Sequence, residues 1–186
     1  MTTNPWRTLD SRTIYTNSWL RLREDSVIRP DGKEGIYSVV EMRPSVGVAA
    51  LNRDGQIALV TQWRYAHNKI STEIPTGGSL PDDGNAEEAA RRELREETGL
   101  VGGKWRDLGP IDNSNGATTD VAHIFVATDL TESEREEDAE ESIVVSWMAF
   151  ADAVEAVLEG FITESVSVAA ILKVELLRLR GELAVP

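Results

Sequence analysis

Three glutamates, Glu93, Glu96 and Glu97, fall within five consecutive positions of a 186-residue chain. On a helix, spacings of i, i+3 and i+4 put their carboxylates on one face. Like charges so placed repel by a few tenths of a kcal/mol per exposed pair, and Arg92, four residues before Glu96, offsets part of that. Two readings follow. The face is either solvated surface or a set of hard oxygen donors, the kind that suits Mg²⁺ or Mn²⁺ and leaves positions for water and phosphate. A loop rich in Gly, Pro and Asp, Pro75 to Gly84, leads straight into this helix.

The elements that must carry these residues are legible from local signals. Asn85 is an N-cap residue with Glu88 three positions on, a capping-box-like pair, and Gly99 stands where a helix ends in a left-handed residue. Residues 75–84 are too rich in breakers for helix or strand. Upstream, residues 13–43 are strand-rich, with Ile36 to Met42 rich in β-branched residues and Pro30 to Lys33 a turn. Val46–Leu51 and Gln56–Gln62 read as apolar strands flanking a hairpin turn at Asn52–Gly55. Two further strands are expected at Val121–Ala127 and Ile143–Trp147. Helices follow at Ala151–Glu159 and Glu164–Arg180, the last with Val168, Ile171, Leu172, Leu176 and Leu179 at roughly helical spacing. Strands, helix, strands, helices in that order predict a mixed α/β layered fold and not a doubly wound parallel one. The expected division is an N-terminal strand-rich element over 1–43 and a main domain over 44–186.

Composition narrows the function. With 41% hydrophobic and 27% charged residues the chain reads as globular, and the lack of cysteine excludes disulfides, thiolate metal sites and a cysteine nucleophile. The net charge is −13, and its densest local source is Thr131–Ser142, which carries six Glu and one Asp against one Arg. No basic stripe suits a nucleic-acid backbone, because Arg91, Arg92 and Arg95 alternate with glutamates. An acidic protein binds phosphate when a metal ion intervenes. No secretion signal and no run of 18 apolar residues is found, so no membrane partner and a cytoplasmic location are expected.

The segment Arg92-Glu93-Leu94-Arg95-Glu96-Glu97-Thr98-Gly99-Leu100 resembles the second half of the Nudix box, Arg-Glu-apolar-x-Glu-Glu-x-Gly-apolar, at every fixed position. The first half of that pattern is a Gly, five residues, then a Glu eight positions before the Arg. Counting back from Arg92 puts Gly78 at the glycine but Gly84 where the Glu belongs. Counting forward, Glu73-Ile-Pro-Thr-Gly77 resembles the family's Glu-x-Pro-x-Gly lead-in. That register makes Gly77 the box glycine, adds one residue to the loop and leaves Asp82, Asp83 or Glu87 to replace the missing Glu. We prefer it. The likeness runs over residues 13–175 and is to the ADP-ribose pyrophosphatase branch, through Tyr15–Asp25, Gln62-Trp-Arg64 and Gly160-Phe-Ile-Thr163.

The resemblance implies a Nudix-type β/α/β sandwich of mixed sheets, a loop–helix–loop metal site and an N-terminal β-rich dimerisation element. It further implies Mg²⁺ or Mn²⁺ and hydrolysis of the pyrophosphate bond of a nucleoside diphosphate linked to a sugar. ADP-ribose is favoured, giving AMP and ribose 5-phosphate, in a homodimer. Hydrolysis of another nucleotide (a GDP-sugar or a nucleoside triphosphate) and a non-catalytic binding module are the alternatives. By the same resemblance Glu93 and Glu97 are the first metal ligands, Glu96 is a ligand or water contact, and the carbonyl of Thr76 is a further donor. The general base falls on the acidic loop at Glu141, with Glu140 beside it and Glu96 the fallback. Arg64 either clamps a phosphate or pairs with Glu73. Trp19, with Tyr15, either stacks on a purine or packs as core. Glu73, Gly77 and Gly78 complete the expected substrate-binding set.

Overall fold

A computed structural model describes residues 3–135 and 142–184. The chain forms two units: one from the N-terminal part up to Pro44 together with Asp112–Val121, the other from Ser45–Ile111 and the chain from Ala122 onward.

The first unit is an antiparallel sheet of β1 (Arg7–Thr16), β2 (Leu20–Ile28) and β3 (Glu34–Met42) in that order. Its β2–β3 turn closes with Gly32 N donating to Arg29 O and Arg29 N to Lys33 O, both at 2.9 Å, as the Pro30-Asp-Gly signal requires. Residues 112–121 join by backbone contacts, Val40 N to Ala117 O at 2.9 Å, and by the Tyr37 hydroxyl donating to Gly116 O at 2.7 Å. Partners so distant in sequence leave no local signal, so a sequence boundary at 43/44 includes only the first of the two pieces.

In the second unit, a four-stranded sheet runs β7 (Thr76–Gly78), β4 (Ser45–Ala50), β9 (Val121–Glu132), β8 (Leu100–Asp112). A three-stranded sheet runs β10 (Val144–Ala149), β5 (Gln56–Arg64), β6 (Lys69–Glu73). The helices are α1 (Ala86–Thr98), α2 (Phe150–Leu158) and α3 (Ser165–Leu179). Strand β4 is apolar without alternation because it is buried on both faces. Val46, Val48 and Ala50 cluster with Ala89, Ala90 and Leu94 of α1. Ala49 and Leu51 cluster instead with Phe150 and Ala153 of α2 and Val166, Ala170 and Ile171 of α3. The mixed α/β layering expected from the element order, and the sandwich the resemblance implies, are therefore present, with strands layered between α1 on one face and α2 with α3 on the other.

Two local expectations are corrected. The turn at Asn52–Gly55 forms, with Asn52 N donating to Gln56 O at 2.9 Å, but pairing ends at a single bridge, Leu51 with Ile57. Both edges of β4 are already taken, antiparallel by β7 and parallel by β9, so β5 enters the other sheet. The second correction lies in the breaker-rich loop. Thr76–Gly78 is a short strand, its backbone registered against Gly47, Val46 and Ser45. Strands β6 and β8 were not anticipated, and β8 contains Gly102 and Gly103 at φ 74° and 79°, which break the alternation that marks a strand.

Candidate active site

Helix α1 begins as its sequence requires. Asn85 Oδ1 accepts from Glu88 N at 3.0 Å, and the Glu88 carboxylate returns to Gly84 N at 3.1 Å. It ends at Gly99, φ 74°, whose N–H donates to Arg95 O. Ala89, Ala90 and Leu94 face the core and fix the rotation of the helix. That rotation carries Glu97 inward to 5% exposure and leaves Glu93 and Glu96 near the rim, with side-chain exposures of 14% and 33%.

A buried carboxylate needs partners. Glu97 Oε2 accepts from Thr76 N at 3.0 Å, which ties the helix to β7. Beside it, Glu93 packs against Gly77 so closely that a Cβ there would lie 2.1–2.3 Å from the carboxylate atoms, whereas a Cβ at Gly78 would meet nothing within 4 Å. Any side chain at 77 would displace the Glu93 carboxylate. The lead-in is also fastened from behind, since Ile74 N donates to Ser167 Oγ at 3.0 Å and Val48 N to Pro75 O at 3.0 Å. Glu93, Glu97, Thr76 and Gly77 are thus brought together.

Arg92 is the hub of the rim. Its Nη1 donates to Glu93 Oε1 and Glu96 Oε2, each at 2.8 Å. Its Nη2 reaches Gly78 O at 2.9 Å and Asp83 Oδ2 at 3.1 Å, and its Nε reaches Asp83 Oδ1 at 3.1 Å. All five N–H donors of the guanidinium have an acceptor. Burial works against its charge, but Asp83, Glu93 and Glu96 outweigh it and raise the Arg92 pKa above its ordinary value. The Arg92 hydrogen bonds in turn hold the Asp83 carboxyl below the usual range.

Among the described residues no three Asp, Glu, His or Cys side chains converge as a preformed metal cage, since Arg92 engages Glu93 and Glu96 while Thr76 N engages Glu97. The donor set nevertheless fits a hard divalent cation in kind: carboxylate oxygens beside a glycine-lined backbone, with one guanidinium facing the three negative charges of Asp83, Glu93 and Glu96.

Elsewhere in this unit, Glu73 is 1% exposed and Arg64 forks onto it, Nε to both carboxylate oxygens at 3.0 and 3.2 Å and Nη2 to Oε2. Burial pushes the Glu73 carboxyl up, but hydrogen bonds from Arg64 and Ser71 with the Arg64 charge leave it below its ordinary value. Of the two readings of Arg64, the pair with Glu73 is the one formed. In the first unit, Trp19 and Tyr15 are 73% and 55% exposed and so are not core. Glu140 and Glu141 lie outside the described residues. Sequence reasoning missed Ser167 altogether, because nothing links it to Ile74 across 93 positions. It weighed Asp83 only as one of three candidates.

Residues 41–166 match the NUDIX domain family, and residues 6–40 match the nucleoside diphosphate sugar hydrolase N-terminal domain. The chain is 31% identical over 176 residues to an ADP-ribose pyrophosphatase of Mycobacterium tuberculosis, covering 94% of this chain and 85% of that one. It is 30% identical to an ADP-ribose pyrophosphatase of Bacillus subtilis, over 81% of this chain and 82% of that one. The crystal structure of an ADP compounds hydrolase superposes with a TM-score of 0.85 at 19% identity, over 98% of this chain and 100% of the other, which shows a shared fold. With α1 carrying the glutamates of the box and β7 supplying its glycine, these matches establish that the chain belongs to the Nudix hydrolase family.

Proposed function

We propose that the protein hydrolyses the pyrophosphate bond of a nucleoside diphosphate sugar, with ADP-ribose the favoured substrate and AMP and ribose 5-phosphate the products. The observation that carries this reading is the seating of the Glu93 carboxylate on Gly77 beside the Glu97–Thr76 hydrogen bond. It gathers two carboxylates from the later turns of one helix beside the backbone of β7, where a cation would let them meet phosphate oxygens. The two relatives named ADP-ribose pyrophosphatase and the matched N-terminal domain point to the substrate class.

Glu93, Glu97 and the carbonyl of Thr76 are the groups that would hold Mg²⁺ or Mn²⁺, with Glu96 a ligand or a contact to bound water. When bound, such an ion neutralises phosphate oxygens and lowers the pKa of water. The chain's own residues do the rest. Gly77 admits the carboxylate, Arg92 holds Glu93 and Glu96 in place, and Glu141 or Glu140 takes the proton of the attacking water as it reaches phosphorus. Arg64, though paired with Glu73, is the cation of this unit that would meet a phosphate in this reading, and Trp19 is the first unit's candidate for stacking on a base. Homodimerisation through the first unit belongs to this reading. Every residue of β1 is exposed, with Leu9 and Ile14 each 49% exposed, as an edge strand awaiting a partner would be.

The test is product analysis over a panel of ADP-ribose, other ADP- and GDP-sugars and nucleoside triphosphates with Mg²⁺. Turnover of ADP-ribose to equimolar AMP and ribose 5-phosphate supports the proposal. Preference for a triphosphate, or no turnover of any member, refutes it.

A further inference from the structure

We infer that Asp83 is a positioning residue for the carboxylates of α1, acting through Arg92 in place of the glutamate the box pattern lacks. The inference rests on the metal-site reading above.

Of the three acidic residues that could brace this loop, two are elsewhere. Glu87 is spent on Arg91, which reaches its Oε1 through Nε at 3.0 Å and Nη2 at 2.7 Å, and Asp82 is exposed. Asp83 alone receives a two-point fork from Arg92, Nε on one oxygen and Nη2 on the other. A bidentate fork fixes a guanidinium in plane as well as in place. The opposite corner of that plane, Nη1, is the atom that spans Glu93 Oε1 and Glu96 Oε2. The orientation Asp83 imposes is thereby handed to two of the three helix carboxylates, and through Nη2 to the carbonyl of Gly78 in β7.

Asp83 is itself held. Leu80 N donates to its Oδ2 at 2.6 Å and its own N–H donates to Leu80 O at 3.1 Å, a closed turn that sets the carboxylate before Arg92 arrives. The loop carries one more residue between the acid and Arg92 than the box pattern has, and the aspartate there reaches the guanidinium at 3.1 Å. Its charge matters as much as its shape. Without it, Arg92 would turn its full attraction on Glu93 and Glu96, the groups a cation must win.

The test compares Mn²⁺ binding by calorimetric titration in the wild type, Asp83→Asn, Asp83→Glu, Asp82→Asn and Glu97→Gln, with melting curves of the metal-free proteins alongside. Asp83→Asn should bind Mn²⁺ about 10- to 100-fold more weakly, the usual effect of removing a group that orients a metal ligand, with a larger fall in kcat than rise in KM. Asp83→Glu should restore most of the affinity and Asp82→Asn should match the wild type. If Asp83→Asn does not fold, Arg92→Lys, which retains the charge and loses the fork, carries the same expectation. Unchanged Mn²⁺ binding in Asp83→Asn, with binding lost in Glu97→Gln, overturns the role of Asp83 alone. A wild-type protein that binds no Mn²⁺ overturns the metal-site reading and this inference with it.

Discussion

Thr76 N donates to Glu97 Oε2 at 3.0 Å, joining the strand before the loop to the last turn of the helix after it. Through this bond the 20 residues between them are held at both ends, and a side chain that would be costly to bury becomes the anchor of a site. Glutamine in its place can still accept the Thr76 hydrogen bond but carries no charge. Glu97→Gln should therefore melt near the wild type while kcat falls by at least about 100-fold, as expected for a group acting mainly on the transition state. Glu87→Gln breaks only the pair with Arg91 and should have little effect on rate. Equal rates in two folded variants would remove Glu97 from the site.

Adjacent glycines give a sharper comparison. Gly77→Ala places a methyl 2.1–2.3 Å from the Glu93 carboxylate, which must move by an ångström or more, and displacements of that size cost on the order of 100-fold in rate. Gly78→Ala meets nothing within 4 Å and should keep kcat and melting temperature. Steady-state rates of the two variants decide whether Gly77 holds the critical position.

The pair of Arg64 with Glu73 predicts a pH dependence of stability. Glu73 titrates below its ordinary 4.5 in the folded chain, so its contribution is present above that value and is lost as pH falls through the lower, folded one. Arg64→Met removes the charge that lowers it and leaves burial to push it up. Because Arg64 is partly exposed, the loss at pH 7 should be roughly 1–3 kcal/mol, below that of a fully buried pair. Denaturant unfolding should show the gap from wild type narrowing as pH falls from the variant's raised Glu73 value through the wild type's lowered one, until Glu73 is neutral in both proteins. A gap independent of pH would mean that Arg64 matters by packing alone.

How much of this was legible depended on whether a side chain carried the message. Helix α1 was, because Asn85, Glu88 and Gly99 each perform locally the role their type suggests, and the glutamate spacing needed only the helical period. The turn at Asn52–Gly55 was legible, but not the sheet each flanking strand joins, which is set by β7 and β9 taking both edges of β4. Strand β7 was illegible because Thr76-Gly77-Gly78 has almost no side-chain signal and owes its conformation to β4. The hydrogen bond from Ile74 to Ser167 and the capture of residues 112–121 by β3 are tertiary facts with no local trace. Asp83 was visible as a candidate, and only the direction of Arg92 distinguishes it from Asp82 and Glu87.

The acidic segment predicts a contrast of position. Glu141 comes three positions before the start of β10 in the sequence, while Glu134 is exposed. If Glu141 supplies the base, Glu141→Gln should cost roughly 10²- to 10⁴-fold in kcat with little change in KM, and Glu134→Gln should be nearly silent. Glu140→Gln is measured beside them. Unchanged kcat in both Glu140→Gln and Glu141→Gln would move the base elsewhere, to Glu96 acting through bound water.

The central claim is that carboxylates gathered on α1 act on a pyrophosphate through a divalent cation. The most direct measurement is the initial rate of AMP formation from ADP-ribose in Mg²⁺, in excess chelator, and in chelator followed by restored Mg²⁺. The account predicts turnover in the first, none in the second and full recovery in the third. Undiminished AMP formation in excess chelator would contradict it.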